Sequence, residues 1–401
     1  MSRPDELVGA LRAHLSEDVA TREALVRSLA LARQRAQSAL RAPLYEALEW
    51  PTDVASYAAF VERALRYVPR QTPGAAWQGE DGGAQEMKER MAHFFWLIDQ
   101  PLDDASQGPH GGHTLQFWPW MRQWVTDVWA AWGSFLDSPD SLTPQTLASF
   151  IDHSPQYNVQ DSMIQGRPNC PSGWRSFNQF FARQLNAGLR PIGHPCDNRV
   201  LSAVADAKRV AESPITQDGS FEGIRIKDTH AYATVEGLLG RASPEFHGGV
   251  MCHYMLSAHS YHRFHAALSG RVVQSQILRQ RAVLRVELDA ETGGYDPQDD
   301  FSQGYPWMQT RGVLCLDTSD HPQADVGAVA TIAVGMGQVS SVVQHASPGA
   351  TLAKGEEYGY FQFGGSDVIV MVGPGWTFLH EDGAQLKVGH PIAHHESFQE
   401  G

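Results

Sequence analysis

The sequence predicts an α+β protein in which a helical N-terminal domain precedes a β-rich domain of the sandwich or barrel type. Through roughly the first 150 residues, apolar side chains recur at the spacing of amphipathic helices. From about Val200 onward, short runs of Val, Ile and Tyr alternate with Gly, Asp and Pro, which is typical of strands and turns. A chain of 401 residues suits two or three domains, and we predict domains over 1–160 and 161–401.

The helices are predicted from repeated side chains and from their start signals. Leucines recur every four residues near the N-terminus, at Leu7, Leu11 and Leu15. A second stripe, in a helix predicted to end at about Leu136, consists of Trp120, Trp124, Val128 and Trp132. Such stripes normally face a core. Thr143 followed by Pro144 predicts the start of a further helix through Ile151.

The β-rich part is predicted from short segments of β-branched and aromatic residues. The predicted strands are Ile224–Lys227, Tyr232–Val235, Arg271–Ile277, Val283–Leu288, Gly312–Leu316, Val326–Val334 and Asp367–Val372. The segment Asp289–Tyr305 is acidic and contains glycine, so we predict an exposed loop there.

Charge and composition exclude several classes of protein. The chain carries 31 basic and 45 acidic side chains, a formal net charge of −14, which argues against nucleic acid or an anionic membrane as a partner. Its longest apolar runs are far shorter than the ~20 residues of a spanning helix, and its first residues lack the apolar stretch of a secretory signal. The four cysteines lack the spacing of a zinc ribbon. These features predict a soluble, cytoplasmic protein.

Three short segments concentrate reactive residue types. Asp206 ends an apolar, strand-like run; His259, His262 and His265 follow each other at intervals of three; Ser366 follows two glycines. Each segment alone has an ordinary explanation, because a strand-end aspartate usually caps a turn and Gly-Gly-Ser is usually a tight turn. The histidine spacing splays the outer pair and offers no carboxylate partner, so no metal site is predicted.

Together these residues supply a carboxylate, an imidazole base and a hydroxyl, the set used in nucleophilic catalysis. The ordinary expectation for such a set is a serine hydrolase. However, position 368 is Val and a strand is predicted after Ser366, so the chain lacks the Gly-x-Ser-x-Gly elbow that precedes a helix in those enzymes. A serine hydrolase remains only a remote alternative.

Five stretches resemble, in the same order, the phosphatidylserine decarboxylase family, whose members generate their own pyruvoyl cofactor. These stretches are Phe177–Ile192, the segment around Asp206, Tyr261–His265, Val329–Gly335 and Lys354–Ser366. They extend from Phe177 almost to the end of the chain, and their shared order is far more specific than any single motif. The resemblance implies that 161–401 forms a catalytic domain of the phosphatidylserine decarboxylase type.

The resemblance also implies a self-cleavage reaction. Ser366 would attack the carbonyl carbon of Gly365, with His265 as the base and Asp206 holding that imidazole in the required tautomer. Glycine permits the tight backbone turn that this attack needs. Elimination would then separate a large subunit, Met1–Gly365, from a small subunit whose former Ser366 has become the pyruvoyl group.

In the mature enzyme, the resemblance implies that the pyruvoyl group forms a Schiff base with the substrate amine and takes up electrons when the α-carboxylate leaves. His262 would assist decarboxylation or reprotonation, which suits an imidazole near pH 7. His259 lies outside the strict motif and is interpreted as structural. The segment Lys354–Glu357 is interpreted as a turn and edge strand that position the cleavage segment.

Two departures from the family pattern bear on the substrate. Membrane enzymes usually carry Gly-Ser-Thr and Asn-Glu-Arg, where this chain has Gly365-Ser366-Asp367 and Gln309-Thr310-Arg311. With its acidic balance and helical N-terminal domain, the chain is more similar to the soluble branch that includes fungal L-tryptophan decarboxylase. This implies a free aromatic amino acid such as tryptophan as substrate. The alternatives are phosphatidylserine, giving phosphatidylethanolamine, and a homologue that cleaves or merely folds without decarboxylating.

Overall fold

A computed structural model describes residues 2–79, 82–102, 114–225, 232–280, 284–298, 305–319, 321–322, 324–335, 342–363 and 367–399. The chain divides into two compact units, each built from three stretches. The helical unit comprises Met1–Val159, Trp174–Phe180 and Arg281–Asp299; the β-rich unit comprises Gln160–Gly173, Phe181–Gln280 and Asp300–Gly401. The predicted fold class, helices followed by a β-rich part, is confirmed. A single boundary at residue 160 stays a prediction.

The α-helices of the described residues are α1 Arg3–Glu17, α2 Val19–Ala39, α3 Ala42–Ala47, α4 Val54–Ala64, α5 Glu86–Trp96, α6 Pro119–Leu136, α7 Pro144–His153, α8 Phe177–Phe181, α9 Val235–Leu239 and α10 Tyr305–Met308. Short 3-10 turns lie at Leu115–Phe117, Pro139–Ser141, Pro155–Tyr157, Val159–Ser162 and Pro244–Phe246.

The helix predictions agree with these bounds for physical reasons that the structure makes explicit. The leucine stripe of α1 is buried, and so are the tryptophans of α6, apart from the half-buried Trp120. Thr143 caps α7 by accepting a hydrogen bond from the backbone of Thr146, with Pro144 at the first helical position. In each case the local signal and the buried face point to the same helix.

The strands are β1 Met163–Ile164, β2 Arg167–Pro168, β3 Val200–Ser202, β4 Ala207–Pro214, β5 Ser220–Arg225, β6 Tyr232–Thr234, β7 Val250–Met255, β8 Arg263–His265, β9 Gly270–Leu278, β10 Arg285–Asp289, β11 Gly294–Gln298, β12 Arg311–Asp317, β13 Ala328–Val334, β14 Val342–Gln344, β15 Thr351–Leu352, β16 Glu357–Phe361, β17 Asp367–Val372, β18 Trp376–Phe378, β19 Gln385–Leu386 and β20 Pro391–His395.

The loop predicted over Asp289–Tyr305 is wrong in its first half, because β10 and β11 form an antiparallel hairpin there. The Asp289 carboxylate accepts hydrogen bonds from the turn, and Gly293 has the positive φ of 61° that a tight reversal favours. Tyr295 is 2% exposed and packs within the helical unit. The acidic residues therefore mark the turn, while an aromatic side chain anchors the strand after it.

The main sheet of the β-rich unit is antiparallel and has eight strands in the order β15-β9-β12-β13-β17-β7-β4-β19. It curls into a half-barrel. Smaller three-stranded sheets are formed by β14-β16-β8 and β18-β20-β3. Strand β17 lies in the middle of the main sheet, between β13 and β7, and all six of its residues are buried. The sheet therefore fixes the backbone immediately after position 366.

One face of the main sheet carries an apolar cluster. It includes Met251, Val313, Ile332 and Ile369, and is covered by side chains such as Leu238 and Trp307. Among the described helices, none is long and apolar enough to cross a membrane.

Candidate active site

The histidine motif Tyr261–His265 lies where two small strands meet. His265 ends β8, which pairs with β16, and the backbone N–H of Phe361 donates to the carbonyl of His262 at 2.8 Å. Strand β16 leads directly into the segment that contains the predicted cleavage point. The pairing therefore brings the two motifs together although about ninety residues separate them.

Both ring nitrogens of His265 make hydrogen bonds. Nδ1 lies 2.8 Å from the carbonyl oxygen of Gly355, which can only accept, so Nδ1 carries the hydrogen. Nε2 therefore has the lone pair, and the hydroxyl of Tyr261 donates to it at 3.1 Å. Burial lowers the pKa of His265, an effect that the Gly355 carbonyl and nearby acidic charges partly oppose. The imidazole is neutral at pH 7 and its Nε2 is a base.

Asp206 has different partners from the one predicted. The single N–H at Nε of Arg190 donates to both of its oxygens, at 2.8 and 3.0 Å, and Nη2 of the same guanidinium donates to Oδ2. The backbone N–H of Val388 donates to it at 2.9 Å. The carbonyl of Gly355 thus fixes the tautomer of His265, and the negative charge of Asp206 is one of the effects that partly oppose the lowering of the His265 pKa by burial.

His262 differs from His265 in the hydrogen bonds of its imidazole. Its side chain is 1% exposed and stacks on Phe181 with ring centroids 3.8 Å apart. Neither ring nitrogen makes a well-aligned hydrogen bond within the described part of the chain. Burial, followed by the positive charge of Arg183, lowers its pKa well below the ordinary value, an effect that the nearby backbone of Ser260 and Ser257 partly opposes. A buried polar group left open in this way is a candidate for contact with a ligand.

Two side chains fix the backbone around these histidines. The ammonium of Lys354 donates to the carbonyls of His194, Asp197 and Val200 at 2.9, 3.0 and 2.5 Å. This anchors the turn whose next residue, Gly355, holds His265. The predicted positioning role of Lys354–Glu357 agrees with this arrangement, and Glu357 also forms an ion pair with Arg263.

The predicted cleavage residues Gly365 and Ser366 lie outside the described residues, so the structure shows only their neighbours. Phe363 packs edge-on against Phe181, with ring centroids 5.1 Å apart. Phe181 also stacks on His262. Asp367 begins β17 and is wholly buried. The described residues on the two sides of the cleavage segment therefore contact Phe181 and the main sheet, respectively.

Sequence reasoning missed the roles of Arg190, Tyr261 and Gly355. Each lies inside a stretch that carried the family resemblance, so the stretch was noticed but the contact was not. Arg190 lies 16 residues from Asp206, and Gly355 lies 90 residues from His265. Only the fold reveals these pairings. Among the described residues, no group of three or more His, Cys, Asp or Glu is arranged to hold a metal ion.

Comparison with known proteins supports the resemblance to the phosphatidylserine decarboxylase family. A model of the family described as phosphatidylserine decarboxylase matches residues 177–394, just over half of the chain. Phosphatidylserine decarboxylase proenzyme 3 of Schizosaccharomyces pombe is 31% identical over 218 residues, which are 52% of this chain but 20% of that protein. This chain thus spans only a fifth of that relative.

Two further relatives are matched over most of their own length. A phosphatidylserine decarboxylase proenzyme of Aliivibrio salmonicida is 31% identical over 63% of this chain and 88% of its own. Decarboxylase iboD of Amanita muscaria is 26% identical over 61% of this chain and 74% of its own. With the family model covering β3 through most of β20, and with both histidines of the motif within the match, the chain belongs to the phosphatidylserine decarboxylase family.

Proposed function

We propose that this protein is a pyruvoyl-dependent decarboxylase that cuts itself between Gly365 and Ser366 and then removes the α-carboxylate of an amino acid. The observation that carries the proposal is the contrasting state of two neighbouring imidazoles. His265 is a neutral base with a fixed tautomer, while His262 is buried and neither of its ring nitrogens has a well-aligned hydrogen bond to the described residues. Self-cleavage needs a base of the kind that His265 provides, and decarboxylation needs an imidazole that can contact the substrate, as His262 can.

The residues present fit a pyruvoyl group formed at position 366. The group, once formed, binds an amine covalently and accepts the electrons released when carbon dioxide leaves. Its neighbour in the chain, Asp367, is held in a central strand, and within the described residues no well-aligned hydrogen bond to a ring nitrogen of His262 competes with a ligand. Such a dry, fixed setting strengthens electrostatic interactions with a bound substrate.

In self-cleavage, Nε2 of His265 would take the proton from the hydroxyl of Ser366. The Gly355 carbonyl stabilises the imidazolium that results, because it accepts from Nδ1–H in both protonation states. Tyr261 donates to the same Nε2 in the resting protein, so its hydroxyl would give way to that of Ser366. The turn anchored by Lys354 keeps this base in place.

In decarboxylation, His262 would hold or move the proton that replaces the carboxylate. A neutral imidazole has one N–H and one lone pair, so it can both give and receive a proton. Phe181 fixes the plane of the ring by stacking and excludes water from one of its faces. The resulting general acid–base assistance is typically worth 10²–10⁴-fold in rate.

For the substrate we propose a free aromatic L-amino acid such as tryptophan. The net charge of −14 disfavours docking on an anionic lipid surface, and a threonine usual in the membrane enzymes is replaced by Asp367. Phosphatidylserine is the second candidate, because it is named in two of the three relatives described above. We also propose that the protein acts in the cytoplasm. Its proposed protein partner is its own small subunit, which begins at residue 366 and stays bound to the large one.

The first test is denaturing mass spectrometry of the purified protein. We expect two fragments that meet between Gly365 and Ser366, with the small one blocked at its N-terminus by a keto group. The Ser366→Ala and His265→Ala variants should stay uncut, whereas His262→Ala should be cut but inactive. His247→Ala is the matched control, since that partly buried imidazole contacts Glu236 at 2.8 Å, and it should cut and turn over normally.

The second test measures carbon dioxide released from tryptophan, tyrosine, phenylalanine and phosphatidylserine side by side. Release from the lipid alone would reverse the order of our two candidate substrates. An uncut chain labelled at Ser366 by a fluorophosphonate would instead indicate a serine hydrolase, and a cut chain active on none of the four would indicate a homologue without this activity.

A further inference from the structure

Two buried ionisable side chains, Asp367 and His253, contact each other, and Asp367 directly follows the predicted cleavage point. Asp367 is the first residue of β17, and its carboxylate is wholly buried. Oδ2 lies 3.6 Å from Nε2 of His253, which is 1% exposed and lies on the neighbouring strand β7. His253 and Asp367 point to the same face of the sheet, because His253 is the register partner of Ile369.

Within the described residues, the one recorded contact of the Asp367 carboxylate is the long one with His253. Neither of its oxygens accepts a hydrogen bond from the described residues, and the 3.6 Å contact with His253 is longer than a hydrogen bond. The residues opposite it on β13 and β7 are Val334 and Met255, both apolar. His253 is the basic group recorded within 4 Å of this carboxylate in the described chain.

The buried Asp99 of the helical unit shows what a structural carboxylate looks like here. It accepts hydrogen bonds from the side chains of Thr114 and Gln116 and from the backbone of Val286. A buried carboxylate is strongly disfavoured unless donors or a counter-charge compensate it. Among the described residues Asp367 has no such donors, and it lies one residue after the predicted cleavage point, so its open oxygens indicate a cationic ligand.

We propose that Asp367 receives the ammonium group of the substrate and, with His253, removes one proton from it. This rests on the proposed function. The N–H bond breaks and its electron pair stays on nitrogen, while the proton passes to Oδ2 of Asp367 and on to Nε2 of His253. The neutral amine that remains is the nucleophile that a ketone at position 366 requires. Both candidate substrates carry this ammonium group.

The test compares capture of two amines by the cut protein, measured as the mass added to the small fragment after reduction with cyanoborohydride. The amines are L-tryptophan and its methyl ester, whose amine is less basic and so needs less help to lose its proton. If phosphatidylserine is the substrate found above, that lipid and its carboxyl methyl ester replace them. The variants are Asp367→Asn, Asp367→Thr and His253→Gln, with Asp382→Asn as an exposed carboxylate control in the same unit.

We expect Asp367→Asn to be cut but to capture the free amino acid roughly tenfold or more slowly at neutral pH, as loss of a general base predicts. Capture should recover as the pH is raised, and capture of the ester should change little. In the unaltered protein, both amines should be captured at similar rates at neutral pH. This last comparison needs no variant and therefore holds even if a substitution prevents folding.

Equal slowing of both amines in Asp367→Asn would overturn the inference, because it would show a merely structural role. A much slower capture of the free amino acid than of its ester by unaltered protein would overturn it too. An unaltered chain that neither cuts nor captures an amine refutes the proposed function, and this inference with it. Normal cutting and capture with unchanged ratios in the variants refutes the inference alone.

Discussion

Two buried histidines, one in each unit, differ in whether their ring nitrogens have hydrogen-bond partners. In the helical unit, Nε2–H of His93 donates to the carbonyl of Glu49 at 2.7 Å, and its Nδ1 accepts from the hydroxyl of Tyr295 at 2.8 Å. In the β-rich unit, His262 is just as buried but its ring nitrogens have no well-aligned hydrogen bond within the described chain. The comparison teaches that burial alone does not tell a histidine whose hydrogen bonds are complete from one whose ring nitrogens are left available for a ligand.

The largest expected effect separates these two histidines directly. His262→Gln should leave stability and self-cleavage nearly unchanged but lower turnover by roughly 10²–10⁴-fold, because general acid–base assistance is lost. His93→Gln should do the reverse, lowering stability while each folded molecule keeps its activity. Urea unfolding and turnover per cut chain measure the two effects. Loss of turnover in both variants, or in neither, would break the comparison.

The next largest effect is a dependence of stability on acid. Burial lowers the pKa of His93 from 6.5 to about 4 in the folded protein, so the unfolded chain binds more protons between these values. The unfolding free energy should therefore fall as the pH drops from 6.5 to 4, and the share due to His93 is about 3 kcal/mol at 1.36 kcal/mol per pKa unit. Unfolding curves of His93→Gln should be correspondingly flatter over this range. A slope identical to that of the unaltered protein would contradict the assignment.

Asp206 sharpens the comparison, because it lies near the site yet has its hydrogen bonds complete. Its guanidinium partner Arg190 and its own side chain are each 14% exposed. We expect Asp206→Asn and Arg190→Gln each to lower stability by about 2 kcal/mol, as for charge-assisted hydrogen bonds, and the double variant to lose little more than either alone. Asp206→Asn removes the negative charge that raises the His265 pKa, whereas Arg190→Gln keeps it, so Asp206→Asn should slow cleavage more than Arg190→Gln does. Normal cleavage by Asp206→Asn would show that this charge plays no part in the reaction.

The smallest effect tests a single hydrogen bond of His93. Tyr295→Phe removes the hydroxyl that donates to Nδ1 and should lower the unfolding free energy by about 1 kcal/mol. Cleavage and turnover should stay unchanged, since Tyr295 belongs to the helical unit. Thermal unfolding followed by circular dichroism is sufficient to measure it. A change in turnover at unchanged stability would remove His93 from the structural class.

The sequence predicts those features of the fold that neighbouring residues determine, such as single strands and helix caps. Strand β17 was predicted with its observed bounds because six successive residues suit a buried strand, and the cap of α7 followed from Thr143-Pro144. The hairpin β10–β11 was mistaken for a loop, because its turn is acidic and the buried Tyr295 is a lone signal. Which histidine is open and which is satisfied depends on partners distant in the chain, such as Gly355. No local pattern encodes that difference.

The place of β17 has a consequence for the maturation of the protein. A break before residue 366 would leave the C-terminal piece threaded through the larger one, since β17 is hydrogen-bonded on both edges, to β13 and β7. Farther along, β19 pairs with β4 and β20 with β3. Scission would thus release no peptide, and the two polypeptides would stay associated until denaturation, with the new chain end one residue before the buried strand β17.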